Sequence, residues 1–171
     1  LMLGDYARGW RDYEFRWKAR NKQKPPLNSP EWKGDPLDNR SLLLYTEQGF
    51  GDTIMFLRFA QQLGRANDRI SLQCQPQLKR LLSSQSEFEN VAANGEKLPS
   101  HDLHAPLMSL PLLLNLTREN NLHSQAYLSP DELSIAPIPE AKPGHKKVAV
   151  TWASAPRSEI QEKKTVPYSK F

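Results

Sequence analysis

The chain has 171 residues, of which 38% are hydrophobic and 25% charged, with a formal net charge of +4. No apolar run approaches the roughly 20 residues that a membrane-spanning helix needs, and no secretory signal opens the chain, so we expect a cytoplasmic protein without a transmembrane segment. Basic residues are interspersed with acidic ones, which argues against nucleic acid as a partner. The single cysteine, Cys74, excludes an internal disulfide and a cysteine-built zinc site.

Residues 1–20 predict a helix that carries one aromatic stripe. Tyr6, Trp10, Tyr13 and Trp17 recur at helical spacing, with charged residues on the other faces. One helix cannot bury such a stripe by itself. It therefore either packs on the domain that follows or ends a helical array that precedes this chain, which starts in the middle of a pattern.

Residues 21–40 predict a linker or an extended connection along the surface. The stretch holds four prolines and few apolar side chains. Trp32 is the exception, and we expect it to anchor this segment on a neighbouring element.

From residue 41 onward the pattern alternates between strands and helices. Strands are predicted at 41–46, 69–75, 90–93 and 101–107, and helices at 52–63, 76–84 and 107–116, the last one broken or begun near Pro111. This alternation predicts the α/β class, with a Rossmann-like parallel sheet flanked by helices over residues 41–128.

The last part of the chain predicts a connector and one more strand. Residues 129–145 are rich in proline, and KKVAVTW at 146–152 has the pattern of a strand. Residues 146–171 are therefore either the last strand of the same sheet or the first strand and loop of a second, truncated domain.

The glycine turn TEQGFGDT, residues 46–53, follows the first predicted strand, where open α/β sheets bind ligands. Gly49 and Gly51 permit a close backbone approach or a positive φ, and Asp52 lies near the positive end of the helix dipole. Its carboxylate is either a general base for a hydroxyl or only the N-cap of the helix. The spacing matches neither a dinucleotide fingerprint nor a P-loop. We expect the substrate to contact Glu47, Gln48, Gly49, Phe50, Gly51 and Thr53.

Two further candidates lie in DLHAPLMSLP, where the strand at 101–107 ends. His104 and Ser109 could reach the same cleft as Asp52, or they could serve only as surface or capping residues. No spacing of His, Cys or carboxylates suggests a metal site.

Three motifs in order, YTEQGFGDTIMFLRF, DLHAPLMSLP and VAVTWASAP…KKTVP, resemble the catalytic region of bacterial tetratricopeptide-repeat proteins fused to a heptosyltransferase-like glycosyltransferase, family 9-like with a GT-B fold. The aromatic helix LGDYARGWRDYEFRWK resembles the segment that links their last repeat to that region. The resemblance implies the acceptor-side domain of an inverting glycosyltransferase with a nucleotide-sugar donor and no cofactor or metal. Most of the nucleotide-binding half is missing, which implies a fragment that is inactive alone.

The resemblance also implies roles for individual residues. Asp52 corresponds to the base that activates an unknown glycan, lipid or protein acceptor. The residues implied for the donor diphosphate are Trp152, Ala153, Ser154, Lys163 and Lys164, although the two lysines could instead be a solvated surface pair. The N-terminal helix or a preceding repeat array could dock a protein partner. Two alternatives stay open: a non-catalytic interaction module on a degenerate Rossmann-like scaffold, and a nucleotide-binding domain of another enzyme class.

Overall fold

The structure is a computed structural model that describes residues 1, 3–19, 21, 23–64, 69–117, 126–129 and 140–148. The chain divides into two units, Leu1–Ile135 and Ala136–Phe171, and the division falls within the predicted connector. In the second unit the described residues contain a turn in which the backbone N–H of His145 donates to the carbonyl of Lys142. The strand predicted at 146–152 is described only to residue 148, and that part is not a strand.

Four short strands form one parallel sheet in the first unit, which confirms the predicted α/β, Rossmann-like class. They are β1 (Leu42–Tyr45), β2 (Ile70–Cys74), β3 (Asn90–Ala93) and β4 (Leu103–Pro106), in the order β3-β2-β1-β4. All four residues of β1 are buried, because a central strand of a covered sheet is apolar on both faces. The chain builds outward from β1 to β3 and then returns to place β4 on the other side. The carboxyl ends of β1 and β4 therefore form the topological switch point of the sheet.

The helices of the sheet region largely follow the sequence pattern. They are α3 (Phe50–Gly64), α4 (Pro76–Ser83), a 3-10 helix (Leu107–Ser109) and α5 (Leu110–Leu113). α4 begins with proline, whose missing N–H has no helical partner at that position. α3 begins two residues earlier than predicted. The helix predicted to residue 116 ends at Leu113, shortly before Asn115 adopts a φ of 50°.

The N-terminal segment forms two helices, α1 (Tyr6–Tyr13) and α2 (Arg16–Ala19), so the prediction of one continuous helix is wrong at residues 14 and 15. The backbone N–H groups of Glu14 and Phe15 each donate to a carbonyl three residues back, which tightens the last turn of α1 and ends it. The aromatic stripe packs on the sheet region. The rings of Trp10 and Phe56 lie 6.1 Å apart at 78°, and Tyr13 stacks on Phe56 at 8°.

The linker runs along the outer edge of β4. The backbone N–H of Trp32 donates to the carbonyl of His104 at 2.8 Å, and the N–H of His104 donates to that of Pro30 at 3.1 Å. Trp32 is 3% exposed, so the predicted anchor is confirmed. Gly34, at a φ of 93°, passes so close to α5 that an added Cβ would lie 2.5 Å from the carbonyl oxygen of Leu113.

The core lies between the sheet and α3, with α1 and the linker closing its margins. Its innermost side chains include Leu42, Leu44, Leu57, Ile70, Leu72 and Leu110, each 0% exposed. Within the described residues, no helix has the length and apolar character required to span a membrane.

Candidate functional site at the carboxyl ends of β1 and β4

The glycine turn begins α3 directly after β1. Because α3 begins at Phe50, Asp52 is its third residue and not its N-cap, and its Oδ2 accepts the backbone N–H of Gly49 at 3.2 Å. The N–H of Thr53 closes the first helical hydrogen bond to the carbonyl of Gly49 at 3.0 Å. This is the carboxylate half of a capping box. The Asp52 side chain supports the helix start and stays partly exposed.

The two glycines of the turn do not adopt the left-handed backbone conformation, and the space around them differs. Neither is among the described glycines with a positive φ. A Cβ added at Gly51 would meet nothing within 4 Å, whereas one at Gly49 would lie 3.5 Å from Asp52 Oδ2. The predicted positive φ is thus absent at both glycines. The other predicted role, close approach of a ligand to the backbone, is compatible with the open space at Gly51.

A side-chain amide from the neighbouring strand end fixes the turn. Gln75 Nε2 donates to the carbonyl of Gln48 at 2.8 Å and lies 3.0 Å from the hydroxyl of Thr53. Thr53 is 2% exposed. The structure therefore places Thr53 beneath the turn, while Gln48 directs its own amide to the hydroxyl of Tyr13 at 3.5 Å.

A buried arginine from the N-terminal segment occupies the switch point. Arg16 Nη2 donates to Glu47 Oε1, just after β1, and to Ser109 Oγ, just after β4, both at 2.8 Å. Arg16 Nη1 donates to Glu14 Oε1 at 2.5 Å, and the Ser109 hydroxyl donates to the same carboxylate at 2.9 Å. One guanidinium thus joins both loops of the switch point to the break between α1 and α2.

Burial shapes the electrostatics of this cluster. The side chains of Arg16 and Glu47 are each 6% exposed. Burial raises the pKa of Glu47, and the hydrogen bond and charge of Arg16 oppose the rise without cancelling it. Burial alone would lower the pKa of Arg16, but the hydrogen bonds and charges of Glu47 and Glu14 outweigh it and raise the pKa. The pKa of each of these two side chains therefore depends on the presence of the other.

The remaining predicted residues lie apart from this cluster or outside the description. His104 is the second residue of β4, not its end; it is 7% exposed, with Nδ1 2.9 Å from the Ser29 hydroxyl of the linker. Burial lowers the pKa of His104. Phe50 is 38% exposed beside the turn. The donor-side candidates lie outside the described residues, and they are Trp152, Ala153, Ser154, Lys163 and Lys164.

The sequence pattern missed Arg16 and Glu14. A signal was present, because Arg16 follows Tyr13 by three positions and so continues the aromatic face that must be buried. In the described part of the chain, no group of three or more His, Cys, Asp or Glu side chains could hold a metal ion.

Comparison with known proteins gives one short similarity. A stretch of 58 residues, 33% of the chain, is 38% identical to Protein FlbA of Caulobacter vibrioides, of which it covers 10%. No family model matches the chain, and no solved structure matches it. The chain thus spans about a tenth of the curated relative it matches.

Proposed function

We propose that the chain is the acceptor-side half of an inverting GT-B glycosyltransferase that uses a nucleotide-sugar donor and a glycan, lipid or protein acceptor. One observation carries the proposal. The partly exposed carboxylate of Asp52 stands in the first turn of α3, directly after the central strand and beside open space at Gly51. Ligands of open α/β sheets bind at this position.

In the proposed reaction Asp52 is the general base. Its carboxylate takes the proton of an acceptor hydroxyl as the hydroxyl oxygen attacks the anomeric carbon. The bond from that carbon to the diphosphate oxygen breaks on the opposite face, so the configuration inverts and the nucleoside diphosphate leaves. Lys163 and Lys164 are proposed to offset the diphosphate charge, near Trp152, Ala153 and Ser154.

The setting of the enzyme follows from the same resemblance to heptosyltransferase-like proteins. That resemblance supports a tetratricopeptide-repeat array ahead of α1 and a protein partner bound by the N-terminal helix or by that array. The single cysteine supports a cytoplasmic location. The donor half is needed for transfer, so we expect the chain by itself to be inactive.

The test is Asp52→Asn in the full-length protein. We expect kcat to fall by about 100-fold or more, the usual contribution of a general base, with nucleotide-sugar binding retained. Asp102→Asn is the matched control, because Asp102 adjoins the amino end of β4, whereas Asp52 lies beyond the carboxyl end of β1. Transfer by Asp52→Asn within a few-fold of the wild-type rate would remove this residue from the mechanism.

A second candidate function is a non-catalytic protein-interaction module. The observation that favours it is the Arg16 guanidinium, which already engages Glu47 and Ser109, two of the residues proposed to contact substrate. Titration of the full-length protein with uridine, guanosine and adenosine diphosphate sugars distinguishes the two functions. Saturable binding of any of them supports the transferase, and no binding across the set supports the module.

A further inference from the structure

The switch point of the sheet holds a guanidinium slot. Glu47 follows β1 and Ser109 follows β4, and Arg16 bridges them through one nitrogen while its second terminal nitrogen contacts Glu14. Two aromatic rings of the same N-terminal segment flank the guanidinium, whose carbon lies 5.0 Å from the centre of the Tyr13 ring and 5.1 Å from that of Trp17. These rings and Glu14 move with Arg16, so Glu47 and Ser109 are the part of the slot that the sheet supplies. Carboxylates in the plane and rings on the faces are the environment that a guanidinium prefers.

The segment that delivers Arg16 is incompletely satisfied. Six buried side-chain polar atoms in the described residues have no hydrogen-bond partner, and three of them, Trp10 Nε1, Arg16 Nε and Trp17 Nε1, belong to this segment. Burying an N–H without a partner is unfavourable, and these three donors regain water when the segment lifts. The closed arrangement of α1 and α2 is thus held less firmly than its aromatic packing alone would indicate.

The sheet side of the crevice also keeps unused hydrogen-bonding groups. The hydroxyls of Tyr45 and Thr46, at the carboxyl end of β1, are buried and have no partner. Together with Glu47 they place one carboxylate and two hydroxyls on consecutive residues beside the switch point.

We propose that the switch-point crevice is a guanidinium-binding site, and that the α1–α2 segment is a removable cover that occupies this site in cis through Arg16. When the cover lifts, Glu47 and Ser109 become accessible to a guanidinium-bearing ligand such as an arginine side chain. The ligand and the cover then compete for one position. This inference does not depend on the proposed transferase, because it concerns only the groups that Arg16 contacts.

Hydrogen exchange of the wild-type full-length protein tests the cover. α1 and α4 are both eight residues long, so α4 is the matched control. We expect the amides of α1 to exchange at least about 10-fold faster, relative to their unprotected rates, than those of α4, β1 and β2. Protection of α1 equal to that of β1 and β2 would show that the segment opens only in global unfolding, and would overturn the cover.

Chemical rescue tests the slot. In Arg16→Ala, ethylguanidinium should bind the vacated position and raise Tm by about 3–6 °C at ten times its Kd, with saturation. If the variant is unfolded, the same compound should restore the folded signal. Ethylurea is the neutral control of similar shape, and Arg16→Ala/Glu47→Gln should lose the response.

The wild-type protein should need a higher concentration of the same compound for an equal rise in Tm, because Arg16 competes for the slot. An equal response of wild type, Arg16→Ala and the double variant would overturn the slot. So would the lack of any response in Arg16→Ala, whether that variant is folded or not.

Discussion

The sheet and the N-terminal segment differ both in how far they are buried and in what surrounds the buried side chains. Every residue of β1 and β4 is buried, whereas α1 and α2 bury only Trp10 and Arg16, respectively. Leu44 in β1 is 0% exposed among other apolar side chains, and both neighbouring strands pair with β1. Trp10 and Arg16 are 9% and 8% exposed, yet each leaves a buried N–H without a partner. A buried leucine requires only close packing against its neighbours. The buried N–H groups of the segment also require hydrogen-bond acceptors, and only some of these N–H groups have one. We therefore expect side chains of the sheet to contribute more to the free energy of unfolding than side chains of the N-terminal segment do.

The largest effect is expected from Leu44→Ala in the sheet. Deleting a fully buried leucine side chain beside α3 costs about 2–5 kcal/mol of unfolding free energy, since transfer and cavity terms add. Urea unfolding of the full-length protein measures the loss. Leu112→Ala on the partly buried face of α5 is the control and should cost clearly less. A loss under about 1 kcal/mol for Leu44→Ala would contradict the assignment of stability to the sheet.

A smaller effect is expected from Arg16→Met in the segment. Loss of one partner of a buried ion pair commonly costs about 3–5 kcal/mol, but a cover that lifts lets Glu47 reach water, so we expect no more than about 3 kcal/mol at neutral pH. Urea unfolding at several pH values measures it.

The pH dependence of this loss has a defined sign. The folded-state pKa of Glu47 is raised above its ordinary value of 4.5, and removal of Arg16 removes the main opposing interaction. The folded variant therefore holds a proton on Glu47 at pH values where the unfolded chain has released it. Its stability falls as pH rises above about 4.5. A gap between wild type and Arg16→Met that widens toward low pH would be inconsistent with this account.

The smallest effect is expected from Asp102→Asn, at the amino end of the sheet. The Asp102 carboxylate accepts the backbone N–H and the hydroxyl of Ser41, each at 2.8 Å, and these bonds lower its pKa from the ordinary value of 3.8. The stabilisation is present above that value and is lost as pH falls through the folded-state pKa. Wild type and variant should thus converge below about pH 4, opposite in sign to the Glu47 effect. Unfolding curves from pH 2.5 to 7 show whether they do.

The sheet could be predicted from sequence because its signals are local. A continuous apolar run predicted β1, alternation predicted β2, and Pro76 marked the start of α4. The break between α1 and α2 could not be predicted in this way. The aromatic spacing favoured one helix, and the interruption at Glu14 is stabilised by contacts with Ser109, which lies 95 residues away in the chain.

The sequence predicted where the candidate site lies, but not all of the residues that form it. The glycine turn indicated the carboxyl end of β1, and Asp52 lies there. The partner of Glu47 depends on how the N-terminal segment crosses the sheet, which no local pattern encodes. His104 was expected near the carboxyl end of its strand, but it is the second residue of β4. The linker accepts a hydrogen bond from its N–H and donates one to its carbonyl, which holds His104 inside the strand.

The linker pairing has a consequence for self-association. Exposed edge strands offer free N–H and C=O groups that recruit strands from other molecules. On the β4 side, the bridge between Glu31 and His104 and the adjacent backbone hydrogen bonds take up part of that edge, and Trp32 fastens the covering segment. Among the described strands, β3 is the other edge, and no described segment pairs with its outer side. The linker thus makes the two edges of the described sheet unequal, since it protects part of one of them from strand addition.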